Sequence, residues 1–136
     1  MERNLRITET DFERLEAVID QFAGGRLAES CERLETEMAK AEVVPPRSVP
    51  SDVVTMNTKV RFVDEATGQS REVTLVYPHE ADVEQGKVSV LAPVGSALIG
   101  LSVGQSIAWP MPGGKTKTFR IEEILYQPEA AGDYEH

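Results

Sequence analysis

With 136 residues and 40% hydrophobic side chains, the chain has material for one core of ordinary size and a small accessory element, but not for two large domains. Its formal charge of −9 is spread evenly, residues 1–50 carrying 7 basic and 11 acidic side chains and residues 51–136 carrying 7 and 12, so neither half is a nucleic-acid arm. A basic patch on a protein is a better target for such a surface than a phosphate backbone, and no sequence-specific nucleic-acid binding is expected.

No charged-then-apolar leader follows Met1, and no apolar run reaches the roughly 18 residues of a membrane-spanning helix. The expectation is a cytoplasmic protein without a membrane partner. Thr10-Asp11-Phe12-Glu13 has the form of a capping box, and Phe12, Leu15, Ile19 and Phe22 then repeat at helical spacing. Gly24-Gly25 breaks this helix. Leu27, Cys31, Leu34, Met38 and Ala41 continue the apolar seam on a second helix, predicting an antiparallel, coiled-coil-like hairpin over residues 1–44. Helices this short are marginal alone, so the hairpin must rely on its seam and on docking against the rest. Cys31, the single cysteine, cannot form an internal disulfide and reads as a small core residue.

Residues 45–52, with Pro45, Pro46 and Pro50, sustain neither helix nor central strand and read as a stiff linker. Val53 to Met56 can start a strand. Lys59 to Asp64 and Arg71 to Tyr77 alternate on either side of the turn Glu65-Ala66-Thr67-Gly68, which is a hairpin pattern. Strands are also predicted over Lys87 to Leu91, Gln105 to Trp109 and Thr116 to Tyr126, with one helical turn after Pro93 capped at Gly100 and a tight turn at Pro112-Gly113-Gly114. The fold class is α+β: a short helical hairpin, then about five or six antiparallel strands with one short helix over residues 53–127. Residues 128–136 read as a frayed acidic tail.

The run from Gly86 to Gln105, a strand, a proline-led helical turn ending in Ala97-Leu98-Ile99-Gly100 and a second strand opened by Gly104-Gln105, followed by Trp109-Pro110-Met111-Pro112-Gly113, resembles the C-terminal domain of the Gre-type transcript cleavage factors. Val49-Pro50-Ser51-Asp52-Val53-Val54-Thr55-Met56-Asn57, Thr74-Leu75-Val76-Tyr77-Pro78 and Tyr126-Gln127-Pro128-Glu129 narrow the resemblance to the nucleoside diphosphate kinase regulators, small Gre-related proteins that bind RNA polymerase. The resemblance implies an FKBP-like sheet, RNA polymerase as partner and docking near the polymerase's secondary channel. It implies a polymerase-docking loop at Leu91, Ala92, Pro93 and Val94, although Leu91 and Ala92 stand where the cleavage factors carry aspartate and serine. Glu80, Asp82 and Glu84 would form an acidic rim. The alternative for Leu91 and Val94 is burial where strand meets helix.

The cleavage factors carry an acidic D-x-x-E pair on a long arm to help hold a catalytic metal. Here the tip reads Phe22-Ala23-Gly24-Gly25-Arg26-Leu27, and a helix of about 14 residues spans only about 20 Å. Asp20 and Glu29 flank the turn and could lie near the tip, but they read as a solvated charged face, since two carboxylates on different helices need specific convergence to bind Mg²⁺. His79 and His136 stand apart from cysteines and carboxylates, so no zinc site and no cofactor are expected. Gly113-Gly114-Lys115-Thr116 lacks the upstream glycine of a phosphate loop. Taken with the short arm and the missing acidic pair, the resemblance implies a monomeric, non-enzymatic transcription regulator that competes with or modulates Gre-type factors without cleaving transcripts. The rival is an FKBP-like prolyl isomerase or chaperone-type domain, whose pocket would have to come from Phe62, Tyr77, Trp109, Phe119 and Tyr126; these are more economically core residues.

Overall fold

The computed structural model describes residues 5–25, 27–111 and 113–132. Strand β1 (Arg6–Thr8) runs directly into helix α1 (Glu9–Phe22); a turn through Gly24 and Gly25 leads to helix α2 (Ala28–Lys40), and β2 (Glu42–Val44) pairs with β1. The pairing is parallel, Arg6 opposite Glu42 and Thr8 opposite Val44, because two antiparallel helices return the chain to its starting end. Three-residue strands are too short to show alternation, so this ribbon has no sequence signature.

The first helix begins earlier than the Thr10 capping box predicts. Thr8 is its N-cap, with Oγ1 accepting from the Asp11 N–H at 3.1 Å. Pairing in β1 holds Thr8 in the extended backbone an N-cap requires, and Thr10 is absorbed into the first turn. Leu15, Ile19, Cys31, Leu34 and Met38 are buried, with Phe12 and Phe22 packed partly against them. Leu27, predicted to open the second seam, is instead 36% exposed at the tip.

After a 3-10 turn at Pro46–Ser48, residues 53–56 form no strand of the main sheet. They pair with the loop beyond the short helix instead: the Val54 N–H donates to the Leu101 carbonyl at 2.8 Å and the Gly100 N–H to the Val54 carbonyl at 2.9 Å. The five-stranded sheet comprises β3 (Lys59–Asp64), β4 (Ser70–Val76), β5 (Lys87–Ser89), β6 (Ser106–Met111) and β7 (Lys115–Tyr126), in the order β5-β4-β3-β7-β6. All neighbours are antiparallel except β4 and β5. The exception arises because β4 and β5 are joined not by a tight turn but by two 3-10 turns, Pro78–Glu80 and Val83–Gln85, which carry the chain back before β5 starts. Phe62 and Phe119 meet edge to face across β3 and β7, with centroids 5.3 Å apart.

Helix α3 (Pro93–Leu98) follows β5 and packs on α2 and on β6. A Cβ on Gly95 would collide with the Ser89 carbonyl, so only glycine lets α3 lie this close to β5. Gly100, at φ +82°, ends the turn where a Cβ would press on Leu5 and Arg6, and the Arg6 N–H donates to its carbonyl at 3.2 Å.

One apolar cluster joins the hairpin to the sheet: Leu15, Leu34 and Met38 belong to the same core as Val54, Met56, Leu98 and Ile99. Beside it runs a buried polar seam. The Asp11 carboxylate accepts from the Met56 N–H at 3.1 Å and from the Tyr77 hydroxyl at 3.4 Å, 45 and 66 residues further along the chain. Glu129 accepts from the Thr55 hydroxyl at 2.7 Å, and the Gln127 amide donates to the Pro50 and Val53 carbonyls at 2.8 and 2.7 Å. The start of the expected tail is thus anchored: β7 ends beside residues 50–55, and Gln127 and Glu129 fill that side with partners for buried polar groups. Residues 133–136 lie outside the described residues.

Candidate docking surface

The loop singled out by resemblance joins β5 to α3. The Leu91 N–H donates to the Ser89 hydroxyl at 3.0 Å, and the Ser96 hydroxyl donates to the Val90 carbonyl at 2.7 Å, fixing the loop at both ends. Leu91 itself is 3% exposed and belongs to the core. This matches the alternative expectation, burial where the strand meets the helix, rather than an exposed anchor. Ala92 is half-buried and Val94 packs partly against the core, so these two present the surface of the loop. The Pro93 side chain lies outside what the structure describes; its backbone opens the helix at the position where a missing N–H costs nothing.

The acidic rim lies on the segment before β5. Glu80 and Glu84 are exposed and Asp82 is half-buried. Asp82 is bound at both backbone groups to Lys87, at 3.0 and 2.9 Å, and its carboxylate accepts from the Glu84 N–H at 3.1 Å. Asp82, paired with Lys87, thus stands at the opposite end of the three-residue strand from the loop, about 10 Å away at the rise of a β-strand.

A concavity of about 420 Å³ opens between α1 and the turn at Pro78–Glu80, lined by Arg14, Val18, Asn57, Tyr77, His79 and Glu80. The His79 ring stacks on Tyr77, with centroids 6.4 Å apart and planes 15° apart. Burial, and then the Asp11 carboxylate, push the Tyr77 phenol well above its ordinary value of 10.0. The phenol remains a protonated donor and ties the sheet to α1.

Among the described residues no group of three or more His, Cys, Asp or Glu side chains could hold a metal ion. Glu29 pairs with Arg33 at 3.1 Å while Asp20 lines a groove on the flank of the hairpin, so the two are not brought together; Arg26, between them at the tip, lies outside the described residues. Burial first, then Glu35, raises the Cys31 thiol above its usual range, which suits a packed residue rather than a nucleophile. Gly113 and Gly114, at φ +89° and +77°, form the turn between β6 and β7 rather than a phosphate cradle. Of the aromatic residues, Phe62, Tyr77, Trp109 and Phe119 are buried and Tyr126 is 45% exposed. The sequence missed Asp11, Gln127 and Glu129 as structural residues: a first-turn acid and an acidic tail carry no local mark of burial.

The Rnk N-terminus family matches residues 3–44 and the family described as transcription elongation factor GreA/GreB, C-terminal, matches residues 49–126. The chain belongs to the GreA/GreB family, in its Rnk-type branch. It is 43% identical over 130 residues to the regulator of nucleoside diphosphate kinase of Escherichia coli (strain K12), covering 94% of this chain and 93% of that one. To the transcription elongation factor GreA of Thermodesulfovibrio yellowstonii it is 40% identical over 103 residues, 76% of this chain but 61% of that one. Among solved structures, a prokaryotic transcription elongation factor GreA/GreB from Nitrosomonas europaea superposes with a TM-score of 0.70 at 44% identity, covering 92% of this chain and 100% of that one. The Gre-type part thus coincides with the five-stranded sheet, α3 and the loop between β5 and α3. The Rnk-type part coincides with the hairpin and the ribbon.

Proposed function

We propose that the chain is a non-enzymatic regulator that binds RNA polymerase as a monomer near the secondary channel, modulates longer-armed Gre factors by occupying their site, and does not stimulate transcript cleavage. Residues 53–127 are the docking domain and residues 1–44 the arm. The observation that carries this reading is the combination of a Gre-type C-terminal domain with an arm of 14 and 13 helical residues, about 20 Å long. Such an arm leaves the docking surface in place and withholds the reach that a catalytic tip needs. Regulation of nucleoside diphosphate kinase would then follow through transcription rather than through chemistry on the kinase.

The loop contributes through Ala92 and Val94, with Glu80, Asp82 and Glu84 as rim. Interface energy concentrates in a few desolvated central positions, while rim charges act mainly on the association rate. The test is full-length Ala92→Arg against Glu32→Lys on the exposed face of α2, each measured for polymerase affinity and thermal midpoint. Ala92→Arg is expected to weaken binding by about tenfold with the midpoint unchanged, and Glu32→Lys to leave affinity nearly intact. Backtracked elongation complexes given the wild-type protein should keep their nascent RNA. Cleavage above the polymerase's own background, or an Ala92→Arg protein that binds as tightly as the parent, refutes the reading.

A further inference from the structure

The hairpin carries a second recess, independent of the docking loop. It is a groove of about 230 Å³ between α1 and α2 with Phe12, Ile19 and Met38 at its floor and Glu16, Asp20 and Glu35 at its edges. Ile19 and Met38 are buried and Phe12 is half-buried, whereas all three carboxylates are on exposed residues.

Two other acidic residues of the hairpin are neutralised by neighbours: Glu29 pairs with Arg33 at 3.1 Å and Glu37 with Lys40 at 3.4 Å. Glu16, Asp20 and Glu35 form no ion pair with any described residue. Their placement also works against the helix. Glu16 and Asp20 are like charges at i,i+4, which is unfavourable. Asp20 lies near the C-terminal end of α1, where the partial charge is already negative and no basic residue occupies the last turn. Three repelling carboxylates around an apolar floor are complementary to one kind of occupant: a long side chain with an apolar stem and a cationic head. The groove's volume is on the order of one such side chain, and the half-buried Phe12 ring adds a face on which a planar cation is stabilised.

We propose that this groove is a docking notch for an arginine presented by a basic, amphipathic segment of a protein partner. The arginine's methylenes lie on Phe12, Ile19 and Met38, and its guanidinium is shared by Glu16, Asp20 and Glu35. Arginine fits better than lysine because a planar fork can satisfy carboxylates from two helices at once. The contact lies on the hairpin rather than on the Gre-type domain, so it can add to docking through the loop or recruit a different protein.

The experiment is a titration of the ¹⁵N-labelled full chain with three probes: an acetylated, amidated arginine–leucine peptide, the same peptide with citrulline for arginine, and spermine. Saturable shifts confined to the neighbourhood of Phe12, Glu16, Ile19, Asp20, Glu35 and Met38 are expected for the arginine peptide only. The triple variant Glu16→Gln, Asp20→Asn, Glu35→Gln should bind that peptide at least tenfold more weakly, with a thermal midpoint equal to or above the parent's because the repulsion is gone. Three results would overturn the proposal: shifts scattered over the whole acidic surface, equal affinity of the triple variant, or spermine or the citrulline peptide binding as well as the arginine peptide. Polymerase affinity of the triple variant, measured alongside, separates this notch from the loop, since a lost loop contact would not alter the peptide titration.

Discussion

Replacing Asp11 by alanine tests whether the buried carboxylate joins the two parts of the molecule. The substitution leaves the N-cap intact, because the bond from the Asp11 N–H to Thr8 belongs to the backbone. It removes the acceptor for the buried Met56 N–H at 3.1 Å and for the Tyr77 hydroxyl at 3.4 Å. Stranding a buried N–H costs about 1–3 kcal/mol, and the longer bond to the phenol adds on the order of 1 kcal/mol. Loss of a first-turn acid adds a few tenths. The variant is therefore expected to lose about 2–4 kcal/mol, a large share of the roughly 5–15 kcal/mol available to a domain. The thermal midpoint should fall by about 8–16 °C, at about 4 °C per kcal/mol for a chain of this size.

The assay is urea unfolding followed both by far-ultraviolet circular dichroism and by fluorescence of Trp109, which is buried in the sheet. Because hairpin and sheet share one core, the two probes should coincide in the parent. They should shift together in Asp11→Ala, with Asp11→Asn intermediate because an amide oxygen can keep one of the two bonds. A loss below about 0.5 kcal/mol, or a helix signal that melts while Trp109 stays native, would refute the shared-joint argument.

Two further predictions concern the same seam. The Tyr77 phenol is raised above its ordinary 10.0, so the folded state holds its proton more tightly than the unfolded chain; the associated stability is fully present below pH 10 and is lost as pH rises beyond it. Tyr77→Phe should thus flatten the alkaline fall in stability measured by urea midpoints between neutral pH and pH 11, at a cost of about 1 kcal/mol at neutral pH; an unchanged alkaline slope would assign that fall to other groups. Glu129→Ala removes the buried carboxylate that accepts from the Thr55 hydroxyl, leaving that hydroxyl only its 2.8 Å contact with the Thr58 hydroxyl, and should cost about 1–2 kcal/mol by urea denaturation, whereas a neutral result would return residues 128–132 to the status of a loose tail.

Much of the architecture was legible in local pattern. The seam of Leu15, Ile19, Cys31, Leu34 and Met38, the alternation along β3, β4 and β7, and the glycine end of α3 announce themselves because each records a short-range periodicity or a backbone conformation that only a few residues tolerate. The GreA/GreB-type order of strand, proline-led turn and glycine was equally readable, since its parts lie within twenty residues of one another. Legibility stopped where the partner is distant in sequence. Thr8 outcompetes Thr10 as cap only because β1 pairs with β2, and β5 is parallel only because of the path its connection takes. Leu91 belongs to a core whose members come from the whole chain, from Leu5 to Ile121, so the choice between anchor and core is made by tertiary packing, and Ala92 and Val94 are left at the surface of the loop. Asp11, Gln127 and Glu129 are polar residues that composition assigns to solvent. Tertiary structure alone makes them internal, because burying a polar group is tolerable only when a partner is brought to it, and here those partners come from as far as 74 residues away.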